Sequence, residues 1–325
     1  MIITRTPLRV SFVGGGSDLP SYYKSHGGCV ISMAINKYVY VSLNKSFSNS
    51  VRVAYSVVEE RNSFDEVNHP LVRNCTRLLN VVDGLEITST ADIPAKGTGL
   101  GSSSSYTVGL LHALSNYQGS GFSKAELAEL ACKIEIEMCD EPIGKQDQYA
   151  ASFGGINIFE FQRDGTVDRQ AIEITPFDQN AFLNSMMIFY TGLTRSASSI
   201  LSDQTANTLS GSKDTTLREM VGLVRPFAAS LSGGDVYQCG KILDENWKLK
   251  KSLSNKISND FIDEVYDEAI AAGAFGGKLL GAGAGGFMMF LAPQSKHRSI
   301  AMRLSKLKQQ YWGLDIFGTS IIHHS

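Results

Sequence analysis

The segment Pro94-Ala-Lys-Gly-Thr-Gly-Leu-Gly-Ser-Ser-Ser-Ser105 runs directly into Tyr106, Leu110, Leu114 and Tyr117, which recur near the helical period. Glycines let a backbone approach a ligand closely, and a helix N-terminus offers unpaired N–H groups at the positive end of its dipole. The combination suits a phosphate. The serine hydroxyls add groups able to reach a phosphate oxygen or a Mg2+ ion, a cation that prefers oxygen ligands. A flexible Gly/Ser linker has a similar composition, but a linker would not open a periodic apolar helix.

Downstream, Ser123-Lys-Ala-Glu126 has the form of a capping box, with Leu127, Leu130, Ala131, Ile134 and Met138 following on one helical face. The same helix carries Glu135-Ile-Glu-Met-Cys-Asp-Glu141, breaks at Pro142 and leads to Asp147. Its dipole disfavours carboxylates at the C-terminal end, so a cation that offsets them explains the cluster better than a solvated acidic helix end. Upstream, Thr6-Pro-Leu-Arg-Val-Ser-Phe-Val-Gly-Gly-Gly-Ser-Asp18 is a short strand ending in three glycines and an aspartate, suited to a polyhydroxyl ligand or simply to a turn. Gly277-Lys-Leu-Leu-Gly-Ala-Gly-Ala-Gly-Gly286, before the apolar Phe287 to Leu291, reads as a tight inter-strand connection packed against that first loop. Two other phosphate loops are excluded. Gly273 to Lys278 is one residue short of a Walker A motif and has Leu279 where Mg2+ needs Ser or Thr, and no segment supplies the Rossmann glycine fingerprint in its strand–helix context.

The remaining chain fits an α+β protein. Alternation in Tyr38 to Leu43 and Leu85 to Thr88 predicts half-buried strands, and Ile156 to Phe161 and Met186 to Tyr190 predict two more, separated by the turn Arg163-Asp-Gly165 and the polar Pro176 to Gln179. A domain boundary near residue 180 divides the chain into 1–182 and 183–325. Phe261, Ile262, Val265, Tyr266, Ala269 and Ile270 form a helix that Gly273 can terminate. Thirty Lys+Arg against 32 Asp+Glu give a net charge of −2, which offers no positive field for nucleic acid or an anionic membrane. Five scattered cysteines without a C-x-x-C pair fit neither a disulfide framework nor a zinc site, and no leader or membrane span is read, so a cytoplasmic location is expected. His112 reads as a packing or capping residue, Cys132 and Cys139 as core, and Lys248, Lys250 and Lys251 beside Trp247 as a solvated basic face.

In this order and spacing the segments resemble the GHMP kinase superfamily of galactokinase, homoserine kinase, mevalonate kinase and phosphomevalonate kinase, over nearly the whole chain. Pro94 to Ser103 meets Pro-x-x-x-Gly-Leu-Gly-Ser-Ser with one extra residue, and Lys278 to Gly286 meets the C-terminal glycine motif. Glu135, Pro142, Gly144 and Asp147 fall on the galactokinase frame of a glutamate followed by x-x-x-x-Gly-x-Pro-x-Gly-x-x-Asp, with Asp140 in place of its first glycine. The resemblance implies an N-terminal domain like ribosomal protein S5 domain 2 and a C-terminal ferredoxin-like domain, with ATP and substrate between them.

It also implies roles. Ser103 and Glu135 are the implied Mg2+ ligands, Asp147 the residue that takes or orients the substrate proton, and Arg9 its neighbour at the reacting hydroxyl. The loop Lys96, Gly97, Gly99, Leu100, Gly101, Ser102, Ser103, Ser104 and Ser105 would cradle the triphosphate; Gly15, Gly16, Ser17, Asp18, Arg195 and Gly283 would hold the substrate. Gly14-Gly-Gly-Ser-Asp18 lacks the glutamate and histidine of the galactokinase Gly-Glu-His-Thr-Asp loop, which argues against galactose. Thr6-Pro-Leu-Arg9, Ala34-Ile-Asn-Lys-Tyr38 and Tyr190-Thr-Gly-Leu-Thr-Arg-Ser-Ala197 resemble the heptose 7-phosphate 1-kinases of bacterial GDP-heptose synthesis, with Arg195 as the candidate grip on the remote phosphate. The alternatives are another sugar kinase, such as an L-fucose kinase, and a sensor that binds without turnover. A sugar phosphate and ATP are the expected partners, and the oligomeric state stays open, a homodimer included.

Overall fold

A computed structural model describes residues 1–82, 84–93, 97–193, 202–203, 205 and 211–325. The chain opens with β1 (Ile2–Val13), α1 (Pro20–His26) and β2 (Gly28–Lys45), continues through β3 (Val51–Ala54), β4 (Val58–Arg61), α2 (Pro70–Leu78) and β5 (Leu85–Ala91), and then enters α3 (Ser102–Tyr117) and α4 (Lys124–Cys132). A π-helical turn, Lys133–Met138, leads to α5 (Gln146–Phe153), β6 (Ile156–Phe161), β7 (Val167–Ala171), α6 (Pro176–Ser185) and β8 (Met186–Tyr190). Beyond these lie α7 (Asp214–Gly222), α8 (Val224–Ser232), α9 (Val236–Leu253), α10 (Asp260–Ala271), β9 (Gly276–Leu279), β10 (Phe287–Leu291), α11 (Gln294–Arg303), β11 (Lys308–Gln310) and β12 (Ser320–His324).

The strands form two sheets. In the first the order is β12-β1-β2-β5-β3-β4, with β6 also paired to β2 and β7 to β6. β2 is the spine: its first half pairs with β6, its second half with β5, and β1 runs antiparallel along most of it. Only the second half alternates, because Cys29–Ile35 is buried throughout, so periodicity revealed Tyr38 to Leu43 but not the rest. The apolar side of this sheet packs on α3 through Leu8, Val10, Val41, Val108 and Leu111.

The second sheet, β11-β8-β10-β9, is covered by α9, α10 and α11 around Met187, Phe189, Trp247, Val265, Phe290 and Ile300. β12 returns to β1, so the last strand completes the first sheet.

Local chemistry accounts for the helix ends. Ser123 N–H donates to Glu126 Oε2 at 2.8 Å and Glu126 N–H to Ser123 Oγ at 3.3 Å, the reciprocal capping box read from sequence. Asn259 caps α10 by accepting from Ile262 N–H at 3.0 Å, and Gly273, at φ +111°, follows its end. The polar stretch Pro176 to Gln179 does separate strands, as the first turn of α6, which is capped by Thr175, whose Oγ1 accepts from Asp178 N–H at 3.1 Å. Among the described residues all five cysteines are unpaired, no helix is long and apolar enough to cross a membrane, and no group of three or more His, Cys, Asp or Glu could hold a metal.

Candidate active site

One cavity, about 290 Å3 in volume, collects the four segments singled out by sequence: Arg9 from β1 with Gly15, Gly16 and Asp18 from the loop after it, Gly97–Ser104 leading into α3, Glu135 with Gly144, Gln146 and Asp147, and Gly281 from the β9–β10 connection. The connections come close because they lack side chains. A Cβ on Gly281 would stand 2.3 Å from the Gly99 Cα, and one on Gly99 would stand 2.4 Å from the Leu280 carbonyl oxygen. The third glycine segment therefore packs directly on the phosphate-type loop, while Lys278 Nζ ties its strand to β1 through the carbonyls of Ser11 and Phe12, both at 2.8 Å.

At the start of α3, Gly101 is the N-cap residue in the left-handed conformation, φ 75°, and no side chain caps the helix. The first amides of α3 are thus uncapped at the positive end of its dipole, facing the cavity, an arrangement that fits an anion. Ser103 Oγ donates to Glu135 Oε1 at 2.5 Å, and Gln148 Nε2 donates to Glu135 Oε2 at 2.6 Å. Glu135 is fully buried on the π-helical turn, a form of helix that recurs at functional sites. Burial raises its pKa to about 7 against the opposing bonds from Ser103, Ser104 and Gln148, and the charge of Asp147 adds to the rise. Hydroxyl, carboxylate and the orphaned, buried Ser102 Oγ are all hard oxygen donors, so the residues present fit Mg2+, which takes its remaining ligands from phosphate and water.

Asp147 lies across the cavity. Arg9 grips it with two parallel bonds, Nε to Oδ1 and Nη2 to Oδ2, both 2.7 Å, while Nη1 donates to the Gly99 carbonyl at 2.6 Å. A Cβ on Gly101 would lie 3.1 Å from Asp147 Oδ2, so this carboxylate stands beside the phosphate-type loop. Asp18 accepts from Gly16 N–H at 2.9 Å and Gln146 N–H at 3.4 Å; burial raises its pKa, opposed by those bonds and assisted by Asp147. Gly144 is obligatory here, since a Cβ would fall 2.0 Å from Asp18 Oδ2.

Three expected site residues stand elsewhere. Ser17 is a turn residue, its Oγ donating to the Gly14 carbonyl at 2.8 Å and accepting from Cys29 N–H at 3.0 Å. Ser105 faces the core, donating to the Pro7 carbonyl at 2.8 Å, because four successive serines on a helix cannot share one side. Gly283 abuts the Ile257 backbone and is absent from the cavity lining. Lys96 and Arg195 lie outside the described residues.

The basic face is corrected as well. Lys248 and Lys251 are surface partners of Asp244 and Asp263, but Lys250 is buried and lines the cavity, its Nζ donating to the Gly281 carbonyl at 2.7 Å. Burial lowers its pKa to about 8, Asp18 and Asp147 opposing and Arg9 reinforcing. The signal was present: Leu243, Asn246, Trp247, Lys250 and Leu253 form the buried stripe of α9, and a lysine on such a stripe is anomalous. Ser11, Gln146 and Gln148 were likewise missed. His112 is structural as read, bonded to Thr319 at 3.0 Å.

An uncapped, glycine-bounded helix start beside an oxygen-donor pair and an arginine-held aspartate defines a small-molecule phosphotransferase site. Residues 67–155 match the GHMP kinases N terminal domain and residues 227–307 the GHMP kinases C terminal model, together just over half of the chain. The chain belongs to the GHMP kinase family and has its two-part α+β fold. It is 29% identical to a D-glycero-alpha-D-manno-heptose 7-phosphate kinase of Campylobacter jejuni over 94% of this chain and 93% of that one. It is 25% identical to an L-fucokinase/L-fucose-1-P guanylyltransferase of Bacteroides fragilis, over 93% of this chain and 35% of that longer protein. A crystal structure of a D-glycero-D-manno-heptose 1-phosphate kinase from Bacteroides thetaiotaomicron superposes with a TM-score of 0.82 at 25% identity, covering 100% of both chains.

Proposed function

We propose that the protein is an ATP-dependent sugar kinase that transfers the γ-phosphate to the anomeric hydroxyl of D-glycero-D-manno-heptose 7-phosphate, supplying a precursor for GDP-heptose and surface polysaccharide in the cytoplasm. The observation that carries this reading is the Arg9–Asp147 pair, set within reach of both the uncapped start of α3 and the Asp18 loop. Phosphoryl transfer needs positioning and charge neutralisation more than covalent help, and each has a residue here. The glycine loop and the first amides of α3 would hold the phosphates. Ser103 and Glu135 would hold Mg2+, which supplies neutralisation of phosphate charge when bound.

Asp18 accepts hydrogen bonds from the sugar. Asp147 orients the anomeric hydroxyl and takes its proton as the sugar oxygen bonds to the γ-phosphorus and the bond to the β-phosphate oxygen breaks, releasing ADP. The anomeric hydroxyl is more acidic than an ordinary alcohol because the ring oxygen withdraws electron density, so a carboxylate suffices as acceptor. Arg195 is proposed for the 7-phosphate and Lys96 for the triphosphate. The division into units 1–182 and 183–325 is kept as a proposal, with β12 returned to the first unit's sheet.

The names of the related kinases differ in the position of the sugar phosphate, and one relative joins L-fucokinase to a second activity. ADP release should therefore be followed with ATP and Mg2+ against D-glycero-D-manno-heptose 7-phosphate, the unphosphorylated heptose and L-fucose. The reading expects the highest kcat/KM with the 7-phosphate. A clear preference for L-fucose would replace the substrate, and no acceptor-dependent ADP from any of them would favour a sensor that binds without turnover.

A further inference from the structure

Two polar groups in the cavity have no task in the scheme above. Ser11, on β1, is 5% exposed and lines the cavity, and its Oγ has no hydrogen-bond partner among the described residues. Lys250, on α9, is 6% exposed, and its one hydrogen bond within the described residues goes to the Gly281 carbonyl, which leaves ammonium protons to spare. The two meet over one glycine. A Cβ built on Gly15 would lie 3.3 Å from Ser11 Oγ and 3.9 Å from Lys250 Nζ. The meeting is fixed from both sides: one turn before Lys250, the buried Asn246 accepts from Gly14 N–H at 3.3 Å, and Lys278 holds the Ser11 and Phe12 carbonyls.

Neither group has its hydrogen-bonding capacity met in this state. A buried hydroxyl without a partner and a desolvated ammonium both cost folding free energy, and both are explained by a ligand that completes them. We propose that Ser11 and Lys250, with Asp18, form a specificity subsite that binds a pair of neighbouring hydroxyl groups on the acceptor sugar. This rests on the sugar-kinase reading and names the chemistry of its acceptor end. Lys250 donates to one hydroxyl oxygen, Ser11 donates to or accepts from the other, and Asp18 accepts a hydroxyl proton.

The charges choose between a polyol and a phosphate. Lys250 is surrounded by Arg9 of β1, Asp18 of the following loop, Asp147 of α5 and Lys278 of β9. Against Arg9 and Lys250 the cavity lining sets four carboxyl groups, those of Asp18, Asp147, Glu135 and Glu141, so a phosphate dianion there meets no net positive field. A neutral polyol meets donors and acceptors in the right numbers. The remote phosphate of a sugar phosphate is therefore read elsewhere.

The test is titration calorimetry of the full chain with D-glycero-D-manno-heptose 7-phosphate, the unphosphorylated heptose and L-fucose, alongside KM for acceptor and for ATP. Ser11→Ala should weaken the best-bound acceptor about 3- to 10-fold and Lys250→Met about 10- to 100-fold, the ranges for a neutral and a charged hydrogen bond. ATP KM should stay within about twofold, and Ser11→Ala should not melt below the wild type, since it removes a buried hydroxyl that has no partner. Equal weakening with and without the sugar phosphate supports hydroxyl recognition. Unchanged acceptor affinity in both variants, weakening confined to the phosphorylated sugar, or equal losses for ATP and acceptor would each overturn the subsite. Binding without turnover in the wild type, still dependent on Ser11 and Lys250, would retain the subsite and remove the kinase reading; no binding of any of the three sugars would remove both.

Discussion

Replacing Asp147 by asparagine changes one atom type at the centre of the site. Asp147 Oδ1 and Oδ2 each accept an Arg9 N–H at 2.7 Å, so the amide keeps one acceptor and turns an NH2 group toward the guanidinium. Loss of a charge-assisted bond is worth about 1.5–3 kcal/mol. The variant also loses the proton acceptor for the attacking hydroxyl, a contribution of about 10²- to 10⁴-fold, or about 3–5 kcal/mol of barrier. Asp147→Asn should therefore lower kcat by about two to four orders of magnitude. The side chain is 24% exposed and the phosphate-type loop is built from glycines and backbone amides, so nucleotide affinity should change less than about threefold. Steady-state ADP release gives kcat, and titration with ATP and Mg2+ gives the affinity. A kcat within about tenfold of wild type, or a fall in kcat matched by the fall in ATP affinity, would refute the proton-acceptor role.

Three further perturbations follow from the packing and the charges. Gly144→Ala places a Cβ 2.0 Å from Asp18 Oδ2 and 2.8 Å from the Asp18 carbonyl, so acceptor KM should rise about tenfold or more while ATP KM holds. Gly281→Ala combines φ +80° with a Cβ 2.3 Å from the Gly99 Cα; it should destabilise by about 1–3 kcal/mol, seen in denaturant melts, and raise ATP KM by shifting the loop that Gly99 anchors. Glu135 is raised to about 7 when folded, so the folded chain binds its proton more tightly than the unfolded chain does. Stability from this group is full below the ordinary carboxyl range and is lost as pH rises toward and through about 7. Wild-type Tm should fall relative to Glu135→Gln across that window, and parallel curves for the two proteins would count against the burial of this carboxylate.

The parts of the fold that were legible carry their signals locally. The glycine–serine run before a periodic apolar stretch located the start of α3, Ser123 and Glu126 located α4, and the apolar face from Phe261 to Ile270 with Gly273 located α10 and its C-terminal end. β2 was half legible because a strand covered on both faces loses its alternation. The site divides in the same way. Arg9, Asp18, Ser103, Glu135 and Asp147 sit in motifs, and the fold brings them to one cavity.

Ser17 and Ser105 share those motifs but point into a turn and into the core, a distinction that needs the direction of each side chain. Lys250 and Ser11 lie 239 positions apart and meet only because α9 packs on the Gly14–Gly16 loop. Three lysines in four positions read as a solvated face until the helix stripe separates the buried one from its two exposed neighbours.

Phosphorus NMR of the reaction of the purified protein with ATP, Mg2+ and D-glycero-D-manno-heptose 7-phosphate identifies the hydroxyl that receives the phosphate. The expected products are ADP and a sugar 1,7-bisphosphate whose new phosphorus signal is coupled to the anomeric proton, a signal abolished in Asp147→Asn. A new phosphate on any other hydroxyl, or a spectrum that stays that of ATP and unreacted sugar, would contradict transfer to the anomeric hydroxyl.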